Sequence, residues 1–396
     1  MLNMVEENAY AQSHRALQTA GRLKEQAGSL GNTLALLDAA GFRPEEMAAA
    51  LPAIRVEPVL TAHPTEAKRA SILAHHRELY LLLVKRENRM WTPAEQREIR
   101  EQIAAVLERL WRTGEIYLRK PEVKSEVQDV LHYLSRVFPS ILPLLSRRLA
   151  DAWDDAGYDM RLLKTGRPFT PQITFGNWVG GDRDGHPFVT ADVTAQTLAM
   201  LRRGALDLLR GELTGLGARL SLSNARQSAT AALTDAIDSY AANLGKAGDT
   251  AVHRNPGEPW RQFINLMIAR LPENGMTSTA YRSAGELAAD LDLLSRSLSE
   301  CGASRLAETD LTPVSDMVRS FGFHLAALDI RQNSRFHDLA IAQLMVAAGL
   351  DGGDFPTWSE ARRLEFITEE LRLHDRSPGP ECRSAMRPLR FWIATG

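Results

Sequence analysis

Cysteine is nearly missing from this chain: only Cys301 and Cys382 occur, far apart and outside any Cys-x-x-Cys. That excludes a disulfide-stapled scaffold and a thiolate zinc site, and it fits a reducing compartment, so the cytoplasm is the expected location. A surplus of one charge is missing too. The 47 basic and 49 acidic residues leave a formal net charge of −2. No global field draws the protein to nucleic acid or to an acidic membrane, and any anion must be held by a local cluster. No stretch approaches the roughly 18 uninterrupted apolar residues of a membrane span. The opening residues Met1–Glu7 lack a basic region followed by an apolar core, so a soluble, untargeted protein is expected. Also absent are a phosphate-binding P-loop, a dinucleotide fingerprint, His-Glu-x-x-His and Gly-x-Ser-x-Gly, which leaves nucleotide hydrolysis, hydride transfer and serine chemistry without support.

Helical patterns dominate what is present. Thr92-Pro93-Ala94-Glu95 reads as a capping box with proline in the first turn, and Ile99, Ile103, Val106 and Leu110 continue one apolar face. A second series from Val127 to Leu145 has helical spacing but contains Pro139 and Pro143, where a kink or break is expected. A third helix is expected from a cap near Thr190 through Leu208. Strands are few, over residues 54–61, 172–175 and 324–330, and a polar motif follows each. Long helices between isolated strands that end in functional residues suggest parallel strands with a site at their C-terminal ends. The expected fold is mostly α-helical α/β, a partial (β/α)8-type barrel with many extra helices. Its expected division is an N-terminal helical segment over 1–53, the partial barrel over 54–376 and an irregular tail over 377–396.

The chemistry-bearing residues sit in three loops. Val59-Leu60-Thr61-Ala62-His63-Pro64-Thr65-Glu66 ends a strand in His-Pro. Proline pushes the residue before it out of the α region, which presents the His63 imidazole at a strand end, where it can serve as a general acid or base. An isolated His-Pro is more often a histidine bonded to its own backbone, but Thr65, Glu66 and the later motifs favour function. His75 and His76 lack that context and read as surface or packing residues. In Gly180-Gly181-Asp182-Arg183-Asp184-Gly185, a guanidinium lies between two carboxylates in a glycine-flanked turn. Arg183 is then either stapled by Asp182 or Asp184, or oriented by them toward an anionic substrate. Asp182 and Asp184 are weak metal ligands by themselves. Trp178 can wall a small substrate or plug the core. In Leu328-Asp329-Ile330-Arg331-Gln332, Asp329 and Arg331 fall on one side of an extended chain, as a phosphate-binding arginine or a plain ion pair.

Together these segments resemble phosphoenolpyruvate carboxylase, whose active-site stretches read TAHPTE and GGDRDGNP. The resemblance spans about residues 54–335. It implies carboxylation of phosphoenolpyruvate by bicarbonate to oxaloacetate and phosphate, with magnesium or manganese as cofactor. By that resemblance His63 matches the catalytic histidine that deprotonates carboxyphosphate, Arg331 the arginine that holds the substrate phosphate, and Trp178 a residue of the carbon dioxide pocket. Arg183 lies in the same motif with an ordering role at the substrate site. His186 stands where the family has asparagine. The family's acidic metal ligands, catalytic lysine, Gly-Arg-Gly-Gly loop and effector-binding region have no counterpart here, so the chain resembles the front part of the enzyme. Expected consequences are no turnover by these residues alone, no metal ligand among them, and a homo-oligomer when the enzyme is completed. The competing expectation is a non-catalytic helical binding or assembly protein derived from that scaffold.

Overall fold

The computed structural model describes residues 2–61, 70–88, 90–113, 123–165, 171–184, 188–272 and 278–372. His63, Thr65, Glu66, His186, Cys382 and the tail expected from Ser377 lie outside them.

Helices α1 (Leu2–Thr19), α2 (Leu30–Ala39) and α3 (Pro44–Ala50) open the chain. The Ser29 hydroxyl accepts from the Asn32 amide and starts α2. Leu34 and Met47 bury against Trp153 and Leu163 further along, which seats α2 and α3 on the rest of the molecule. Next, α4 (Ala70–Arg86) and α5 (Pro93–Arg112) pair with one another. The α5 capping box forms as its sequence predicts: the Glu95 amide donates to Thr92 Oγ1 at 3.3 Å, and the Thr92 amide donates to Glu95 Oε2 at 2.8 Å. Ile72, Leu79, Ile99 and Val106 are buried in this pair, but Trp111 is 90% exposed, and Leu81, Leu107 and Met90 are exposed as well. Apolar surface of that kind drives association. Concentration-dependent self-association is therefore expected in sedimentation velocity, and Leu107→Ser with Trp111→Ser should reduce it.

The break expected at the prolines comes earlier. Helix α6 (Val123–His132) passes through a π-helical turn, Tyr133–Val137, into α7 (Phe138–Asp155). Pro139 falls in the first turn of α7, where its missing N–H leaves nothing unpaired, and Pro143 is carried inside at the cost of one backbone hydrogen bond. After α8 (Met160–Thr165), the long α9 (Ala191–Arg219) starts at Thr190, whose hydroxyl accepts from the Val193 amide. Its far half buries Leu209, Leu213 and Leu216 among α10 (Ala231–Leu244), α11 (Lys246–His253), α12 (Pro259–Ala269) and α13 (Ala284–Glu300). Helices α14 (Thr312–Phe321), α15 (Ser334–Ala347) and α16 (Glu360–Arg372) complete the order.

Among the described residues five two-residue strands lie between these helices: β1 (Arg55–Val56), β2 (Val59–Leu60), β3 (Gln172–Ile173), β4 (Gly176–Asn177) and β5 (Ala327–Leu328). All pairings are parallel, β1 with β3 and β2–β4–β5 in that order. The strands expected over 54–61, 172–175 and 324–330 are all shorter than their sequence predicts, and β4 lies beyond the end expected at Phe175. Glu57 and Pro58 interrupt the first, although the Gly176 amide still donates to the Pro58 carbonyl. Residues 324–326, expected to be extended, instead form a turn in which buried Leu325 takes a left-handed φ of 61°. That conformation is uncommon for a branched residue, and the core contact of Leu325 holds it. Phe175 anchors the central strand, its ring stacked between Phe138 at 4.7 Å and Phe321 at 5.2 Å. The architecture is mostly helical with few parallel strands, and among the described residues the strands do not close into a barrel.

Candidate functional site

The register of the central strands builds the site. Gly176 pairs with Ala327 and Asn177 with Leu328, so the residues that follow, Trp178 and Asp329, emerge side by side. Trp178 Nε1 donates to Asp329 Oδ2 at 2.9 Å. Beyond them the chain turns sharply. Buried Asn177 donates from Nδ2 to the Val179 carbonyl at 2.9 Å and accepts the Val179 amide at 3.0 Å. Gly180 follows with φ of 86°, pressed on Thr197, and a Cβ on Gly181 would collide with the Asp329 carbonyl. The two glycines thus let the loop lie directly on the end of β5.

That contact brings Arg331 to Asp182. The Arg331 amide donates to the Gly181 carbonyl at 3.2 Å, and the Arg183 amide donates to the Arg331 carbonyl at 2.8 Å. The Arg331 guanidinium then donates twice to the Asp182 carboxylate, Nε to Oδ1 at 3.0 Å and Nη2 to Oδ2 at 2.8 Å. Its carbon lies 5.1 Å from the centre of the Trp178 ring. The bonded Asp182 carboxylate raises the Arg331 pKa above the ordinary arginine value, so this exposed side chain carries a fixed positive charge.

These residues pair differently from what their order in the sequence suggests. Asp182 or Asp184 is expected to staple Arg183, yet Asp182 holds Arg331, and Asp184 is exposed with its amide donating to Asp182 Oδ1. Arg183 turns away to Thr194, whose hydroxyl accepts from Nη2 at 2.9 Å and donates to the Gly180 carbonyl. Its Nε is buried without a hydrogen-bond partner among the described residues, and burial lowers the guanidinium pKa below its ordinary value. Arg183 and Arg331 are therefore joined through their backbones while their side chains point to different partners. Thr194 and Asn177 escape sequence reasoning, because a helix threonine and a strand asparagine carry no local sign of the contacts they make. His63 lies outside the described residues, three positions after the end of β2.

A cavity of about 1100 Å³ between α7, α9 and α14 is lined by none of these residues. The strand ends form an exposed shelf with one oriented cation and one indole face. Such a shelf can bind an oxyanion next to a flat apolar surface. Gly181→Ala should push the Asp329 carbonyl away, lower stability by about 1–3 kcal/mol and weaken anion binding, as checked by thermal melting and titration.

A family model described as phosphoenolpyruvate carboxylase matches residues 1–380. The phosphoenolpyruvate carboxylase of Aromatoleum aromaticum is 37% identical over 394 residues, covering 96% of this chain and 42% of its own length. The protein of that name from Azoarcus sp. is 35% identical over 97% of this chain and 42% of its own length. The Methylorubrum extorquens protein is 32% identical over 84% and 36%. This chain thus spans about two fifths of the length of the curated relatives it matches. It belongs to the phosphoenolpyruvate carboxylase family.

Proposed function

We propose that these residues supply the phosphate-binding arginine, the general base and the indole wall of a phosphoenolpyruvate carboxylase. The observation that carries the reading is the Arg331 guanidinium held at the strand ends by Asp182 and over Trp178. In this reading the phosphoryl group of phosphoenolpyruvate binds Arg331. A bicarbonate oxygen attacks phosphorus, the bond from phosphorus to the enol oxygen breaks, and carboxyphosphate and the enolate of pyruvate result. His63 takes the proton of carboxyphosphate, which then splits into carbon dioxide and phosphate. The enolate carbon attacks carbon dioxide beside Trp178 and gives oxaloacetate. Arg183, bonded to Thr194, orders the loop and takes no part in the bond changes.

The strands that carry these groups are read as part of a (β/α)8-type barrel. Among the described residues no three His, Cys, Asp or Glu side chains gather as a metal site requires, and Asp182 and Asp329 are committed to Arg331 and Trp178. These residues do not fit the magnesium or manganese that the family implies, so its ligands are assigned to other residues and no step is routed through it. Among the described residues no helix is long and apolar enough to cross a membrane. A cytoplasmic homo-oligomer acting on phosphoenolpyruvate and bicarbonate completes the proposal. Calorimetric titration with phosphoenolpyruvate tests it: binding by the wild-type chain that Arg331→Ala abolishes is expected, and equal binding by both would overturn it.

A further inference from the structure

A guanidinium has five N–H donors, and they form two forks, one along the Nε–Nη2 edge and one across Nη1 and Nη2. In Arg331 the first fork is filled by Asp182, at 3.0 and 2.8 Å. Among the described residues no group accepts from Nη1, so the second fork is open on a side chain that is 54% exposed. The plane of the guanidinium is restrained from two directions, by the Asp182 carboxylate along its edge and by the Trp178 ring beside it. Trp178 is itself fixed, since its Nε1 donates to Asp329 Oδ2.

We propose that Asp182 and Asp329 are positioning residues: Asp182 occupies one fork of Arg331 so that the other receives a phosphoryl or carboxylate oxyanion, and Asp329 sets the indole beside it. The inference rests on the reading that Arg331 binds the phosphoryl group. Two physical effects oppose each other at Asp182. Its negative charge repels an incoming anion, whereas its two hydrogen bonds remove the freedom that a long exposed side chain would otherwise lose on binding. The bidentate geometry makes ordering the larger effect. Taking Asp182 away should therefore weaken anion binding, although the site becomes more positive. Lysine cannot replace Arg331 here, because an ammonium is a point charge with no second fork to orient.

The test is titration of the full chain with phosphoenolpyruvate and, separately, with inorganic phosphate. Asp182→Asn should weaken binding about tenfold, the scale of one charge-assisted hydrogen bond. Asp182→Glu keeps the charge but displaces the carboxylate, and it should weaken binding as well. In an Arg331→Lys background, Asp182→Asn should change affinity by less than about twofold, because the fork it positions is gone. Asp329→Ala should shift the Trp178 indole N–H resonance and weaken binding less than Asp182→Asn. Thermal melting of each variant establishes that it is folded, and Asp182→Glu serves if Asp182→Asn is not. Unchanged or tighter binding by folded Asp182 variants would overturn the proposal, as would an equal loss in both Arg331 backgrounds. If the wild-type chain binds and Arg331→Ala does not, the phosphoryl reading stands whatever the Asp182 result. If the wild type binds neither probe, both fall.

Discussion

Asp290→Ala should cost about 3–5 kcal/mol and unfold the helical body around α10, α12 and α13 in urea concentrations that the wild type withstands. Asp290 is buried and accepts three hydrogen bonds, from Tyr240 Oη at 2.7 Å, Tyr281 Oη at 2.6 Å and Arg270 Nη1 at 2.8 Å. Arg270 follows α12 directly, and its guanidinium carbon lies 4.1 and 4.2 Å from the two tyrosine ring centres. Burial, more than the neighbouring carboxylate, pushes the Tyr281 phenol far above its ordinary range and keeps it a donor. Alanine would leave a partly buried guanidinium and two hydroxyls, that of Tyr281 fully buried, without this acceptor. Breaking one side of such a pair costs far more than the pair contributes, and the loss is a large part of a typical stability of about 5–15 kcal/mol. Asp290→Asn, which keeps one acceptor oxygen, should fall between. A loss under about 1 kcal/mol for Asp290→Ala in equilibrium urea unfolding would show that water replaces the carboxylate at little cost.

His63→Asn should lower turnover of the active enzyme by about 100- to 10,000-fold, the contribution of a positioned general acid or base. The proposal gives His63 one task, removal of the carboxyphosphate proton. The effect should therefore fall on kcat, while KM for phosphoenolpyruvate stays close to that of the wild type. Arg331→Ala should do the reverse in part, raising KM sharply because it removes a contact made in the ground state as well as in the transition state. Steady-state kinetics separate the two. A His63→Asn enzyme with near-normal kcat would remove the histidine from the chemistry while leaving the phosphate site intact.

Helix starts are legible in the sequence because their signals are local. The Thr92 capping box and the Thr190 cap each involve residues three apart, and both form. The ends of β2 and β5 are legible to within two residues, since apolar runs give way there to His-Pro or charge, but β4 falls on Gly176–Asn177, which sequence alone assigns to the loop after a strand over 172–175. The lengths of the strands are not legible. Pro58 interrupts one, and the Leu325 turn takes the beginning of another for a core contact that no local propensity encodes. The partners within the site were hidden for the same reason. Trp178 and Asp329 are 151 residues apart, and Asp182 and Arg331 are 149 apart. Only the parallel register of β4 with β5 sets each beside the other. A two-residue period sets Asp329 and Arg331 on one side of the chain, and both meet Trp178, but nothing in that period says which neighbouring strand faces them. The π-helical turn at Tyr133–Val137 likewise has no sequence sign comparable to the nearby prolines.

The strand-end residues of this chain, as proposed, form part of a carboxylation site. Oxaloacetate formation, followed by its enzymatic reduction, tests that most directly when the chain is co-expressed with the remaining part of the Aromatoleum aromaticum relative, in phosphoenolpyruvate, bicarbonate and magnesium. Turnover is expected in the complemented protein, none from residues 1–396 alone, and its loss with His63→Asn or Arg331→Ala. A complemented protein whose turnover survives both substitutions would contradict it.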